Sequence, residues 1–184
     1  AAKAFEELAK AGLSVEQIVG GALEGALTLS AAGSIEVAAA AETAASAMTQ
    51  FGLAGEDVTR IADALAGGAN AAQGGVDDLR QALGQSGLVA SQFGLTMEET
   101  VGTLTTFASA GLLGSDAGTS LRTMLLRLAK PSNEAAAEME RLGLAAFDSQ
   151  GDFIGIEALA EQLQTRLGGL TQEQRSSALA LIFG

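Results

Sequence analysis

Apolar and polar positions recur along this chain with the spacing of helices, most sharply between Ser115 and Lys130. There Ala117, Leu121, Met124, Leu125 and Leu128 fall at i, i+4, i+7, i+8 and i+11, one stripe of an α-helix. Ser120, Thr123 and Lys130 lie away from that stripe. Ser115 and Asp116 suit the N-terminus, where a side-chain oxygen caps free amides and a carboxylate meets the positive end of the dipole. Arg127 and Lys130 suit the opposite end. Pro131 disfavours helical geometry at Lys130, so the helix should stop there.

The same spacing marks further helices. Val15, Ile18, Val19, Ala22, Ala26 and Leu29 form one stripe, and Ile35, Ala38, Ala41, Ala45 and Met48 the next. Val58, Ile61, Ala62 and Leu65 follow, stopped by Gly67 and Gly68, with Gly67 to Gly75 reading as a small-residue loop. Val76, Leu79 and Leu83 begin a helix expected to break at Gly84 and Gly87 and to resume over Leu88 to Phe93. Met97, Val101, Leu104 and Ala108 precede the central helix, and Ala135, Met139 and Leu142 give a short one ended by Gly143. Ile156, Leu159, Leu163 and Leu167 give another ended by Gly168, and the last begins at Thr171.

One junction recurs: Gly12-Leu13-Ser14-Val15-Glu16-Gln17, Gly94-Leu95-Thr96-Met97-Glu98-Glu99 and Gly169-Leu170-Thr171-Gln172-Glu173-Gln174. Gly52-Leu53-Ala54-Gly55-Glu56-Asp57 is a degenerate copy. The Gly ends one helix, Ser or Thr caps the next, and Glu or Gln closes a capping box. The copies are irregularly spaced, so they share turn chemistry and not a solenoid period.

Leu144 to Gly155 departs from the helical pattern. A loop at Ser149 to Gly151 with Gly151 left-handed would pair Asp148 with Asp152 and set Phe147 opposite Phe153. The expected fold is all-α, an irregular multi-helix array of about nine to ten short helices with one small β-hairpin near residues 144–155. Residues 1–184 should form a single helical module, divisible into a helical array over 1–143 and a hairpin plus two helices over 144–184. Ala1 to Ala11 opens mid-helix without a cap, and Leu179 to Phe183 ends on apolar residues. The chain is therefore expected to be a fragment of a much longer one.

Composition narrows the chemistry. Hydrophobic residues make up 48% but aromatics only 4%, without Trp or Tyr, which favours helices packed closely through alanine. The 24 glycines, against a single proline, read mostly as helix stops. With no Cys and no His, disulfides, thiolate nucleophiles, Ser-His-Asp triads and the common zinc sites are excluded. Carboxylates, Ser, Thr, Lys and Arg remain, with no convergent set, so no enzyme and no cofactor are expected. The net charge is −12, and only the spaced set Arg122, Arg127 and Lys130 approaches a basic cluster, so no specific nucleic-acid binding is expected. Lys3 is followed by Glu6 and Glu7 with no apolar core of a signal peptide. The longest uncharged stretches, Gln81 to Met97 and Thr100 to Ser115, fall short of a spanning helix.

Several residues invite a functional reading. The acidic pairs Asp77-Asp78 and Glu98-Glu99 lie in first helical turns, where acids complement the dipole, and adjacent helix residues do not face each other. Gly114 to Ser120 lacks the lysine ending of a phosphate loop, and Asp148 with Asp152 lacks the full oxygen-ligand pattern of a calcium loop. Apolar residues off the core stripes are more informative. Leu126 lies opposite the Leu121/Leu125 face, between Arg122 and Lys130, while Leu23 and Leu27 widen their stripe beyond one contact face. Two readings stand: helices buried on two sides, or a partner surface of Leu23, Leu27, Arg122, Leu126 and Lys130 for another copy or a further segment.

The run GSDAGTSLRTMLLRLAKPSNEA resembles the central segment of the tail tape measure proteins of long-tailed bacteriophages, in which G-[ST]-x-A-G-T-x-L-R-x-x-L-x-R-L is followed shortly by a proline. AMTQFGL at Ala47 to Leu53, VDDL at Val76 to Leu79 and FDSQGDF at Phe147 to Phe153 add matches in consistent order, so the resemblance covers most of the chain. It implies a virion structural module in the lumen of the tail tube, made in the host cytoplasm and involved in tail length determination, tail assembly and genome ejection. Implied partners are other copies of itself and the tail tube, tail tip and tail assembly chaperone proteins. The alternative it implies is a membrane-active helical module with transient host membrane contact, aiding DNA passage across the inner membrane. A compact chain of this size has a radius of gyration of roughly 16 Å, too bulky for several copies abreast in a channel that passes duplex DNA. The helices are therefore expected to splay along the tube axis before ejection, with the Gly junctions as hinges.

Overall fold

A computed structural model describes residues 2–71 and 74–184; Ala1 and part of the predicted Gly67 to Gly75 loop lie outside them. The helices are α1 (Ala2–Lys10), α2 (Val15–Gln17), α3 (Leu23–Gly33), α4 (Val37–Phe51), α5 (Val58–Ala71) and α6 (Val76–Gln92). They continue as α7 (Met97–Ser109), α8 (Gly114–Ala129), α9 (Asn133–Leu142), α10 (Ile156–Leu167) and α11 (Gln172–Phe183). A π-helical turn, Ile18–Ala22, joins α2 to α3, and a 3₁₀ turn, Gly55–Asp57, leads into α5. The architecture is all-α, as the periodicity predicts.

The recurrent junctions form as their residues dictate. Ser14 Oγ accepts from the Gln17 amide at 3.2 Å while Gln17 Oε1 accepts from the Ser14 amide at 2.9 Å. Thr96 with Glu99 and Thr171 with Gln174 close the same reciprocal box. In the degenerate copy Ala54 has no oxygen to give, and only Asp57 Oδ2 reaches back, to the Ala54 amide at 2.8 Å. The central helix is less conventional. It starts at Gly114 after Leu113 without a side-chain cap, so Ser115 does not cap it, and Asp116 keeps only its first-turn place. Its stripe behaves as expected: Ala117, Leu121, Leu125 and Leu128 are buried.

The main core spans α1 to α8, with α6 against α8 its most extensive helix pair. Gly118 explains that pairing. A Cβ there would sit 2.1 Å from the Ala82 carbonyl oxygen, so the two backbones touch. Gly25 does likewise on α3, where a Cβ would meet the Thr59 backbone at 3.1 Å. These glycines, with Gly84 and Gly87 inside α6 and Gly67 and Gly68 inside α5, correct the reading of glycines as helix stops. The α6 helix is continuous where a break was predicted, and α5 runs past Gly67 and Gly68 to Ala71. An interior glycine costs only about 1 kcal/mol, which burial of Ala82, Leu83 and Ser86 outweighs.

Two further expectations are corrected. Val15 and Val19 do not share the buried stripe of Ile18, Ala22, Ala26 and Leu29: they are 64% and 73% exposed. The π turn inserts residues into the helical count, and Gly21 at φ 151° kinks the path. The predicted β-hairpin is a single antiparallel bridge, Phe147 to Phe153, and not a pair of strands. Asp148 N–H does donate to Asp152 O at 2.9 Å, but the ladder ends within two residues. The Gln162 amide on α10 takes both backbone groups of Ala145, at 3.0 and 3.2 Å, so no strand partner is needed there.

The C-terminal helices bury smaller clusters. Leu142, Leu144, Leu167, Ala178 and Ile182 form one, and Leu128, Ala146 and Leu159 another. Phe93 at the end of α6 meets Phe147 and Phe153 with ring centroids 6.0 and 5.6 Å away, which pins the bridge to the main body. Among the described residues no single helix is long and apolar enough to cross a membrane. Val15–Gly33 and Val37–Phe51 reach that length and composition only together, and they meet at 115°.

Candidate functional site

The acidic pairs are consumed locally. Asp78 Oδ2 accepts from the Gly75 amide at 2.9 Å, and Glu99 Oε2 accepts from the Thr96 amide at 2.8 Å. Asp77 pairs with Arg80 at 2.7 Å and accepts from Gln81 at 2.7 Å, and these contacts, Arg80 first, hold its carboxyl below the usual aspartate range. Glu98 pairs with Arg60 on α5 at 3.2 Å. Asp148 Oδ1 closes its own turn, accepting from the Gln150 and Asp152 amides at 2.9 Å each. Among the described residues no group of three or more acidic side chains could hold a metal ion.

The surface carries more information. Leu126 is 45% exposed one turn after the exposed Arg122 on α8, and the exposed Lys130 follows as the non-helical residue that ends the helix. Neither cation has an ion-pair partner among the described residues. Leu27 is 44% exposed on α3, while Leu23 is half-buried and packs on the main core. α3 packs on α1, α4, α5 and α6, and α8 on α6, α7 and α11, so Leu23 and Leu27 lie on one helix of the main core and Arg122 and Leu126 on another.

Beside α3, the π turn creates a feature that periodicity alone conceals. Glu16 and Glu56 line a hollow of about 320 Å³ with Gln17, Gly20, Gly21 and Thr59. Val15 and Val19 stand exposed on the same turn segment. Neither carboxylate has an ion-pair partner among the described residues. The Gly20-Gly21 pair inside an apolar stripe was the available signal, because two glycines permit the backbone departure that turns Val19 outward. A second hollow, about 510 Å³ and mostly apolar, lies between α7, α8 and α10, lined by Phe107, Met124, Ile156 and Leu163 with Glu99 and Glu157 among its lining. Among the described residues no feature brings together a nucleophile, a base and an oxyanion donor. The geometry suits association through side-chain surfaces.

The comparisons with known proteins agree in direction. A family model described as phage-related minor tail protein matches residues 1–184. The tape measure protein of Pneumococcus phage Dp-1 is 37% identical over 184 residues, all of this chain and 16% of that protein. The probable tape measure protein of Escherichia phage P2 is 29% identical over 136 residues, 73% of this chain and 17% of that protein. The chain thus spans about a sixth of the length of the relatives it matches. No solved structure matches it.

Proposed function

The chain belongs to the family of phage-related minor tail proteins, and from that membership we propose that it is a structural module of a tail tape measure protein. In this reading it acts through packing and carries out no catalysis. It resides in the lumen of the tail tube and contributes to tail length determination, tail assembly and genome ejection. Its partners are further copies of the same chain, the tube and tip proteins, and the assembly chaperones. The observation that carries the proposal is similarity to a tape measure protein along the full length of the chain.

The packed helices set a physical condition on that role. A folded module of this size has a radius of gyration of about 16 Å, so copies in a tube lumen must unpack and lie along the axis. Positive-φ junctions such as Gly52 and Gly143 are the hinges at which this occurs with least strain. Tandem duplication of the module in the phage genome tests it, with tail length read by electron microscopy. A module laid out as helix adds about 1.5 Å per residue, roughly 280 Å in all. Tails of unchanged length would sink the ruler role for this segment.

A second reading follows from the bent pair Val15–Gly33 and Val37–Phe51, the one combination that has the length and hydropathy of a span among the described residues. Unpacked, that pair contacts a membrane. The stretches Gln81 to Met97 and Thr100 to Ser115 lie largely in α6 and α7 and do not pass the same test. Dye release from anionic liposomes by the purified chain, before and after mild denaturation, checks it. Release by neither form rules the reading out.

A further inference from the structure

The geometry points to a head-to-tail contact between copies of this chain, in which Arg122, Leu126 and Lys130 of one copy seat on the Glu16/Glu56 hollow and the Val15/Val19 face of the next. Charge identifies the occupant. In a chain of net charge −12, with only ten cations, Arg122 on α8 and Lys130 at its end are both exposed and without ion-pair partners among the described residues, with the exposed Leu126 between them in the chain. The complement is formed where α2 and the π turn meet the 3₁₀ turn: Glu16 and Glu56, unpaired among the described residues, line a recess that Gly20 and Gly21 leave open, and the exposed Val15 and Val19 directly precede Glu16 and Gly20. A cation enters the recess, Leu126 covers Val15 and Val19, and each side gains the pairing it lacks within its own chain.

The two surfaces are different, so the contact is heterologous, and each bound copy leaves a free recess and a free cation face for the next. Copies add head to tail, as a row or a closed ring, and not as a symmetric dimer. The inference concerns the folded chain and does not rest on the tail reading above.

Sedimentation velocity of the 184-residue chain at low salt over roughly three decades of concentration provides the measurement. The average mass should rise past that of a dimer, and added salt should reverse the rise. Arg122→Glu/Lys130→Glu and Glu16→Lys/Glu56→Lys each set like charge against like, and each should weaken association at least about tenfold. An equimolar mixture of the two variants should associate again, because each supplies the complement of the other. All four positions are exposed, so the variants should keep the wild-type helical circular dichroism and melting. Wild-type chain that stays monomeric, a plateau at dimer mass, or variants that associate normally would each overturn the contact. So would a mixture that remains monomeric.

Discussion

Between α1 and α8 much of the buried surface is alanine, and helices close until backbone meets backbone, as at Gly118 and Ala82. From α9 to α11 the buried residues are Leu142, Leu144, Leu159, Leu167 and Ile182 with Ala135, Ala146 and Ala178, in small clusters tied to the main body by α8 and the Phe93 rings. The first arrangement contains helix crossings that only a glycine admits, at Gly118 and Gly25, while the second is small clusters held by side chains. The two regions should therefore answer differently to the same kind of substitution: the main body is intolerant of added atoms, and the C-terminal helices of removed ones.

The sharpest way to break this contrast is Gly118→Ala. Helix propensity alone would make the change stabilising by about 1 kcal/mol. The contact with Ala82 reverses the sign, and a loss of about 3 kcal/mol is expected in urea unfolding. An unchanged midpoint would mean that α6 and α8 are not in backbone contact. Next, Leu121→Ala should cost about 3 kcal/mol and Ile182→Ala about 2 kcal/mol, because the smaller cluster collapses more readily around the void. Hydrogen exchange separates them. Leu121→Ala should raise exchange throughout α1 to α8, and Ile182→Ala mainly in α9 and α11.

Smaller effects sharpen the local picture. Thr96→Ala and Thr171→Ala each remove a capping box, one in each region, and should cost about 1 kcal/mol apiece in thermal melts. The smallest is Asp77→Asn. Arg80 and Gln81 depress the Asp77 pKa in the folded chain, so its contribution is full above the unfolded aspartate value and fades as pH falls through the folded one. The group is largely exposed, so screening limits the loss at neutral pH to a few tenths of a kcal/mol. Urea titrations of wild type and variant should differ at pH 7 and converge in strong acid.

The helices and their starts were legible because they are local. A capping box needs only the right residues three positions apart, and Ser14, Thr96 and Thr171 announced theirs. The glycines were not legible, because a glycine that ends a helix and one that admits a neighbouring backbone look alike in one sequence. Gly118 and Gly25 are decided by Ala82 and Thr59, which are distant in the chain. The π turn escaped for a related reason: a single insertion in the helical count moved Val15 and Val19 from the core to the surface. The bridge at Phe147 and Phe153 was placed correctly, but the competing demand from Gln162 lay on another helix. Leu126 was legible as an unusual position from its flanking cations. The Glu16/Glu56 recess was not, since it requires the kink.

The Phe93, Phe147 and Phe153 rings have an optical consequence. In a chain without Trp or Tyr, near-ultraviolet dichroism arises from seven phenylalanines, and three of them are held in one asymmetric cluster. Those rings come from the end of α6 and both sides of the bridge, so their vibronic fine structure reports whether the bridge is seated on α6. The protein thus carries an intrinsic gauge of its own opening, readable without a label and distinct from the helical signal that persists when packed helices merely separate.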